Sequence, residues 1–250
     1  MGNQESVMWK LVPVVRRRVG IYWSDGVMLV SGCSRVREEC EHCWALRYEK
    51  RFGINGGVEG VVRFHLERLR RAVRCRSSQV YSIWNDFYHE GVGYEERSQA
   101  YEMMMGEDGS RHYFIILTKR PFRMYSDVVL LGGGVSRNIL LGVTAGLQKH
   151  LDWQYEEVLL ELNRMYGMRF VLSVEPILGP IEFPAGFERV VSWAIVGVET
   201  GPGSRVDERS EEWIEGIVER CEDMGIPVFM KSLPGFYKGE VIRQFPVAEG

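Results

Sequence analysis

Eight short apolar runs punctuate this 250-residue chain, at about 27–31, 61–64, 80–83, 113–117, 139–143, 170–172, 194–196 and 227–230. Each is too short to be a buried helix and too continuously apolar for a strand with one wet face, so each asks for cover on both sides. Between them lie stretches with helical periodicity: Trp44–Phe52, the basic Leu66–Arg74, Tyr94–Met105, Asp152–Tyr166 and Glu208–Met224. Asp152–Tyr166 gathers Tyr155, Val158, Leu159, Leu162, Met165 and Tyr166 on one face. Glu208–Met224 does the same with Trp213, Ile214, Ile217, Val218 and Cys221. Strands alternating with helices predict an α/β protein, read here as a single-domain (β/α) barrel, complete or partly open. A doubly wound open sheet is the alternative. No G-x-G-x-x-G follows a strand, which argues against a dinucleotide-binding domain. Residues 1–25 read as an irregular lead-in with a basic cluster at Arg16–Arg18, and 26–250 as the barrel domain.

In such barrels chemistry collects where the strands end. Here those ends carry Cys33, His65, Asn85 and Asp86, then Thr118, Lys119 and Arg120, then Thr144, Ser173 and Glu175, Glu199, and Lys231. Any one of these reads equally well as a satisfied loop residue; their recurrence at strand after strand predicts a site.

The first end is the most specific. Cys33, Cys40 and Cys43 fall within eleven residues and make up three of the chain's five cysteines. Three thiolates on one loop suit an iron–sulfur cluster with one iron left for another ligand. The same spacing also admits a zinc site, with His65 or His89 as a distant fourth ligand, or a Cys40–Cys43 redox dithiol. Cys75 and Cys221 read as structural. A disulfide is not expected, because the N-terminus lacks the charged start and apolar core of a signal peptide. The expectation is a protein of a reducing, cytoplasmic compartment, without a membrane span. A net charge of −3 shows that the chain as a whole is not a generic polyanion binder. Locally, Arg63, Arg68, Arg70, Arg71, Arg74 and Arg76 form a candidate phosphate-binding face or a solvated basic helix.

A run of motifs carries a resemblance. They are Gly32-Cys33 with Cys40-x-x-Cys43-Trp-Ala, Asn85-Asp-Phe-Tyr-His89, Leu117-Thr-Lys-Arg-Pro121, Leu141-Gly-Val-Thr144, Leu172-Ser-Val-Glu-Pro-Ile-Leu-Gly-Pro180, Ile195-Val-Gly-Val-Glu-Thr-Gly201 and Phe229-Met-Lys231. In this order the chain resembles the radical S-adenosylmethionine (SAM) enzymes, in particular a divergent phage and bacterial group with six residues between its first two cysteines. The resemblance implies a [4Fe-4S] cluster on Cys33, Cys40 and Cys43, with SAM on the open iron. SAM would be contacted by Asp86, Asn85, Thr118, Lys119, Arg120, Ser173, Glu175, Glu199 and Trp44. Lys231, His89 and Tyr88 would face substrate. It also implies an electron donor such as flavodoxin or ferredoxin. The implied substrate is a modified nucleobase or nucleotide, free or in phage DNA inside the host cytoplasm, with an isomerase-type rearrangement favoured. The rivals are a radical DNA-repair lyase and a non-catalytic, zinc- or cluster-stabilised nucleic-acid-binding protein.

Overall fold

The computed structural model of the chain describes residues 20–231, 233, 235 and 237–246. The Arg16–Arg18 cluster and most of the lead-in lie outside them. The chain divides into two compact units, residues 25–143 and residues 144–250 together with the segment up to Ser24.

The first unit holds β1 (Asp25–Val27), β2 (Val30–Ser31), α1 (Trp44–Phe52), β3 (Arg63–Phe64), α2 (Leu66–Val73), β4 (Val80–Ile83), α3 (Tyr94–Met105), β5 (Tyr113–Thr118), α4 (Pro121–Leu130) and β6 (Ile139–Thr144). Strands β1, β4, β5 and β6 pair in that order, all parallel. Their sequences explain the pairing: every residue of β4 is buried, as are Phe114, Ile115 and Ile116 of β5, so both sheet faces are covered.

Two of the expected strands behave otherwise. The run at 27–31 breaks after Val27, whose carbonyl accepts from the Leu29 N–H at 2.8 Å. Its first half joins the parallel sheet. Its second half, β2, pairs antiparallel with β3 in a separate two-stranded ribbon. The run at 61–64 is therefore not a barrel strand, because its backbone donors and acceptors are spent on β2 rather than on a parallel neighbour. A helix the periodicity did not announce, α4, starts with Pro121 at its first turn, where the missing N–H costs nothing.

The second unit holds β7 (Phe170–Val174), β8 (Val191–Val196) and β9 (Val228–Met230), again parallel. Before them, α5 (Gln148–Gln154) runs through a π turn at Tyr155–Leu159 into α6 (Leu160–Tyr166). The wide turn rotates the residues that follow it. Tyr155, Val158, Leu159 and Leu162 are buried as the periodicity predicts, whereas Met165 is exposed and Tyr166 half-buried. Helix α7 (Ser210–Asp223) buries Trp213, Ile214, Ile217, Val218 and Cys221. The architecture is thus α/β, with parallel strands alternating with helices in each unit.

Candidate metal centre

Cys33 stands on a loop pinned at both ends. Before it, Gly32 has φ +87° and lies so close to Val61 that an added side-chain carbon would sit 1.9 Å from that residue's carbonyl oxygen. Only glycine fits there. The Gly32 N–H donates to Glu49 Oε1 at 2.6 Å, and the Cys33 carbonyl accepts from Gly60 N–H at 2.9 Å. At the other end a short turn, Glu38–Cys40, leads to Cys43, which caps α1. Cys43 thus stands at the positive end of the α1 backbone dipoles.

The clamp is Glu49, a residue the sequence reading did not single out. It is buried on α1, and the same Oε1 also accepts from Asn85 Nδ2 at 2.8 Å. Asn85 donates a second hydrogen bond to the Val30 carbonyl at 2.7 Å, and these bonds hold it at φ +63°. Asn85 thus braces the loop with both donors of its amide. The spacing from Cys43 to Glu49 put this acid on α1, but only the fold turned it inward.

Beside the cysteines lies a charged network. Each oxygen of the buried Asp86 carboxylate accepts two hydrogen bonds. Oδ1 takes Thr118 Oγ1 at 2.6 Å and the Tyr88 N–H at 3.1 Å. Oδ2 takes Arg120 Nη1 at 3.0 Å and the Lys119 N–H at 3.2 Å. Arg120 also donates through Nε to Glu90 and through Nη2 to Ser34, and its Nη1 is 3.9 Å from Cys33 Sγ. Burial alone would lower the Arg120 pKa, but Asp86 and Cys33 beside it raise it, so it is a fixed cation. Burial, with Asp86 nearby, pushes the Cys33 thiol up to about 12 despite Arg120. A group so placed is not an activated free thiolate.

His89 is bound at both ring nitrogens. The Gly91 N–H donates to Nδ1 at 2.9 Å, so the proton sits on Nε2 and is donated to Ser34 Oγ at 2.9 Å. Burial, then Arg120, lowers its pKa and keeps it neutral. Ser34 Oγ thus accepts from His89 and Arg120, and its own hydroxyl proton is left to point elsewhere. His65 is similarly engaged, through Nε2 with Ser31 Oγ at 2.7 Å and through Nδ1 near Glu67. Neither imidazole has a nitrogen to spare as a fourth zinc ligand.

Of the remaining expected site residues in this unit, Tyr88 is wholly buried and its hydroxyl pairs with that of Tyr101, so it is core and presents no atom to a substrate. Trp44 is exposed and meets Trp84 edge to face at 5.5 Å. The half-buried Lys119 side chain has no hydrogen bond or ion pair among the described residues.

The second unit gathers its own set. Lys231 Nζ is 2.7 Å from Glu175 Oε1, Ser173 Oγ donates to Glu175 Oε2 at 3.0 Å, and the ammonium lies 5.8 Å from the ring centres of both Tyr22 and Trp23. Gly197 makes room: an added carbon there would meet Lys231 Cβ at 3.1 Å. Glu199 is committed to Arg205, whose Nη2 and N–H donate to it at 2.8 and 2.7 Å.

All five cysteines are free thiols. Cys33, Cys40 and Cys43 carry the soft thiol donors that thiolate-ligated metals take, but among the described residues they do not gather into a formed cluster site.

A family profile covers residues 18–250. The chain belongs to DUF5131, a family described as proteins of unknown function. This corrects the resemblance drawn from the motifs: the DUF5131 profile spans nearly the whole chain and no radical SAM family profile matches it. The cysteine spacing and strand-end motifs are features of a DUF5131 chain and do not carry membership of that superfamily. No curated protein and no solved structure matches the chain.

Proposed function

We propose that this DUF5131 protein is an enzyme that binds a [4Fe-4S] cluster through Cys33, Cys40 and Cys43 and SAM at the iron those thiolates leave open. The observation that carries the proposal is the pinned three-cysteine loop with the Arg120 guanidinium 3.9 Å from Cys33 Sγ. Three thiolates give a cluster one vacant coordination position, and the two histidines weighed as a fourth zinc ligand, His65 and His89, are engaged with Ser31 and Ser34.

Held by Cys33, Cys40 and Cys43, such a cluster would supply one-electron reductive cleavage of SAM, with flavodoxin or ferredoxin as the electron source, and so the means to take hydrogen from a substrate. The chain's own groups serve that chemistry by charge and by rigidity. Arg120 offsets thiolate charge in a buried setting where an unpaired anion would be costly. Asp86 is saturated by four donors, so its part is to fix Arg120 and the Thr118–Arg120 turn rather than to take a SAM ammonium. Lys119, whose side chain makes no hydrogen bond or ion pair among the described residues, is the residue assigned to the SAM carboxylate. The substrate class is a nucleotide or nucleic acid, supported by the exposed arginines of β3 and α2, and the reaction a rearrangement. A partly open (β/α) barrel is the finer fold reading that goes with this proposal.

The test is oxygen-free reconstitution with iron and sulfide, followed by electron paramagnetic resonance of the reduced protein with and without SAM. A four-iron signal that changes with SAM, with 5′-deoxyadenosine formed, is the expected result. One tightly held zinc, no iron–sulfur signal and no SAM cleavage would overturn it.

A further inference from the structure

The outward face of α1 has no part in the chemistry above. Trp44, Tyr48 and Phe52 recur every fourth residue, one ring about every 6 Å along the axis, and are 47%, 38% and 59% exposed. Monomeric proteins seldom leave three neighbouring aromatics in water without a use for them. Tyr48 and Phe52 lean together at 4.6 Å, and the Arg51 guanidinium lies 5.5 Å from the Phe52 ring centre. Lys50 and Arg51 are exposed and Arg47 half-buried, whereas the helix's one acid, Glu49, is buried and spent on Gly32 and Asn85. Every charge that α1 shows to water is positive. In the same unit Arg63, Arg70, Arg71, Arg74 and Arg76 are exposed without an ion pair among the described residues, and Glu67 is the one acid between 63 and 76.

We infer that α1 is a stacking platform for single-stranded nucleic acid, with the arginines of β3 and α2 holding its phosphates. Rings that alternate with cations suit unpaired bases on a polyanion, because every base has a face to stack and each phosphate a charge to neutralise. A duplex keeps its base faces to itself. A second copy of this chain meeting the same face would set Lys50 and Arg51 against their own kind. The inference deepens the nucleic-acid part of the proposed function and rests on that part alone, since it needs neither cluster nor SAM.

The experiment measures binding of fluorescein-labelled single strands of thymidine or uridine, about 12 nucleotides long, and of a duplex of equal length. It uses the purified full-length protein, before and after iron loading, at two salt concentrations. Single strands should bind tighter than duplex, and Tyr48→Ala and Phe52→Ala should each weaken binding about tenfold with the salt slope unchanged. Arg70→Ala with Arg71→Ala should weaken binding and flatten the salt slope. Circular dichroism checks that these surface variants stay folded. No binding, duplex preference, or indifference to both ring substitutions would overturn the inference. So would sedimentation showing a dimer that Phe52→Ala dissociates. Failure to load iron with strand binding intact would sink the cofactor reading and leave this one standing.

Discussion

Glu49 is worth more to the cysteine loop than any charge on its surface. Its Oε1 accepts from the Gly32 N–H and from one of the two amide protons of Asn85, in a buried place. Glu49→Ala should cost about 1–3 kcal/mol of stability in denaturant unfolding and lower the iron bound on reconstitution, with Glu49→Gln, which keeps an acceptor oxygen, recovering part of both. Ser34 makes a finer prediction. With His89 and Arg120 donating to its oxygen, its proton is free to bond sulfur, and such bonds raise a cluster's reduction potential. Ser34→Ala should shift the potential to more negative values in a redox titration; an unchanged potential would place that proton elsewhere. His112 sits wholly buried, accepting from Gln79 N–H at Nδ1 and facing the Val73 carbonyl with Nε2. Burial lowers its pKa, so the unfolded chain binds its proton first. Its contribution to stability is complete above the unfolded value of about 6.5 and is lost as pH falls from there towards the lower folded value. Unfolding curves at pH 7 and pH 5 should differ more for the natural protein than for His112→Gln.

Between helices, α3 and α4 are tied by a buried ion pair. Arg97 Nε and Nη2 donate to the Asp127 carboxylate at 2.6 and 2.7 Å, and both side chains are almost wholly buried. Breaking it strands a charge away from water, so Asp127→Ala should cost about 3–5 kcal/mol. Arg97→Met with Asp127→Leu should restore much of that, because two apolar groups of similar size leave nothing unsatisfied. Chemical denaturation of the three proteins decides it. Element boundaries were legible wherever the pattern was local: Trp44–Phe52 and Tyr94–Met105 are helices over the very residues expected. They were illegible where a distant partner intervened. Nothing in Val27–Ser31 announces that its halves pair with different strands, since backbone hydrogen bonding there is decided by Val61–Phe64, thirty residues on.

For the whole molecule, the proposal requires the three cysteines to act as one set. Replacing any of Cys33, Cys40 or Cys43 by alanine should abolish cluster assembly, read as iron and sulfide content, while the far-ultraviolet circular dichroism stays that of the natural protein. Loss of fold in all three would instead make the loop a structural clip. No helix among the described residues is long and apolar enough to cross a membrane, in keeping with the hydropathy pattern.

The amino-acid sequence by itself determined what depends on neighbours along the chain. It set the α/β alternation, the parallel character of strands buried on both faces, the three-cysteine loop, and the polar residues at the strand ends. Tertiary structure alone decided which of those residues are occupied by others. Asp86, Asn85, His89 and Glu199 read alike as ligands in the sequence, yet each is consumed by partners from 2 to 55 residues away. Tyr88 vanished into the core against Tyr101, and the Lys119 side chain has no partner among the described residues. The reason is physical: a side chain's type fixes what bonds it is able to make, but in a buried site the competition for its few lone pairs and protons is settled by whichever groups the fold brings within 3 Å.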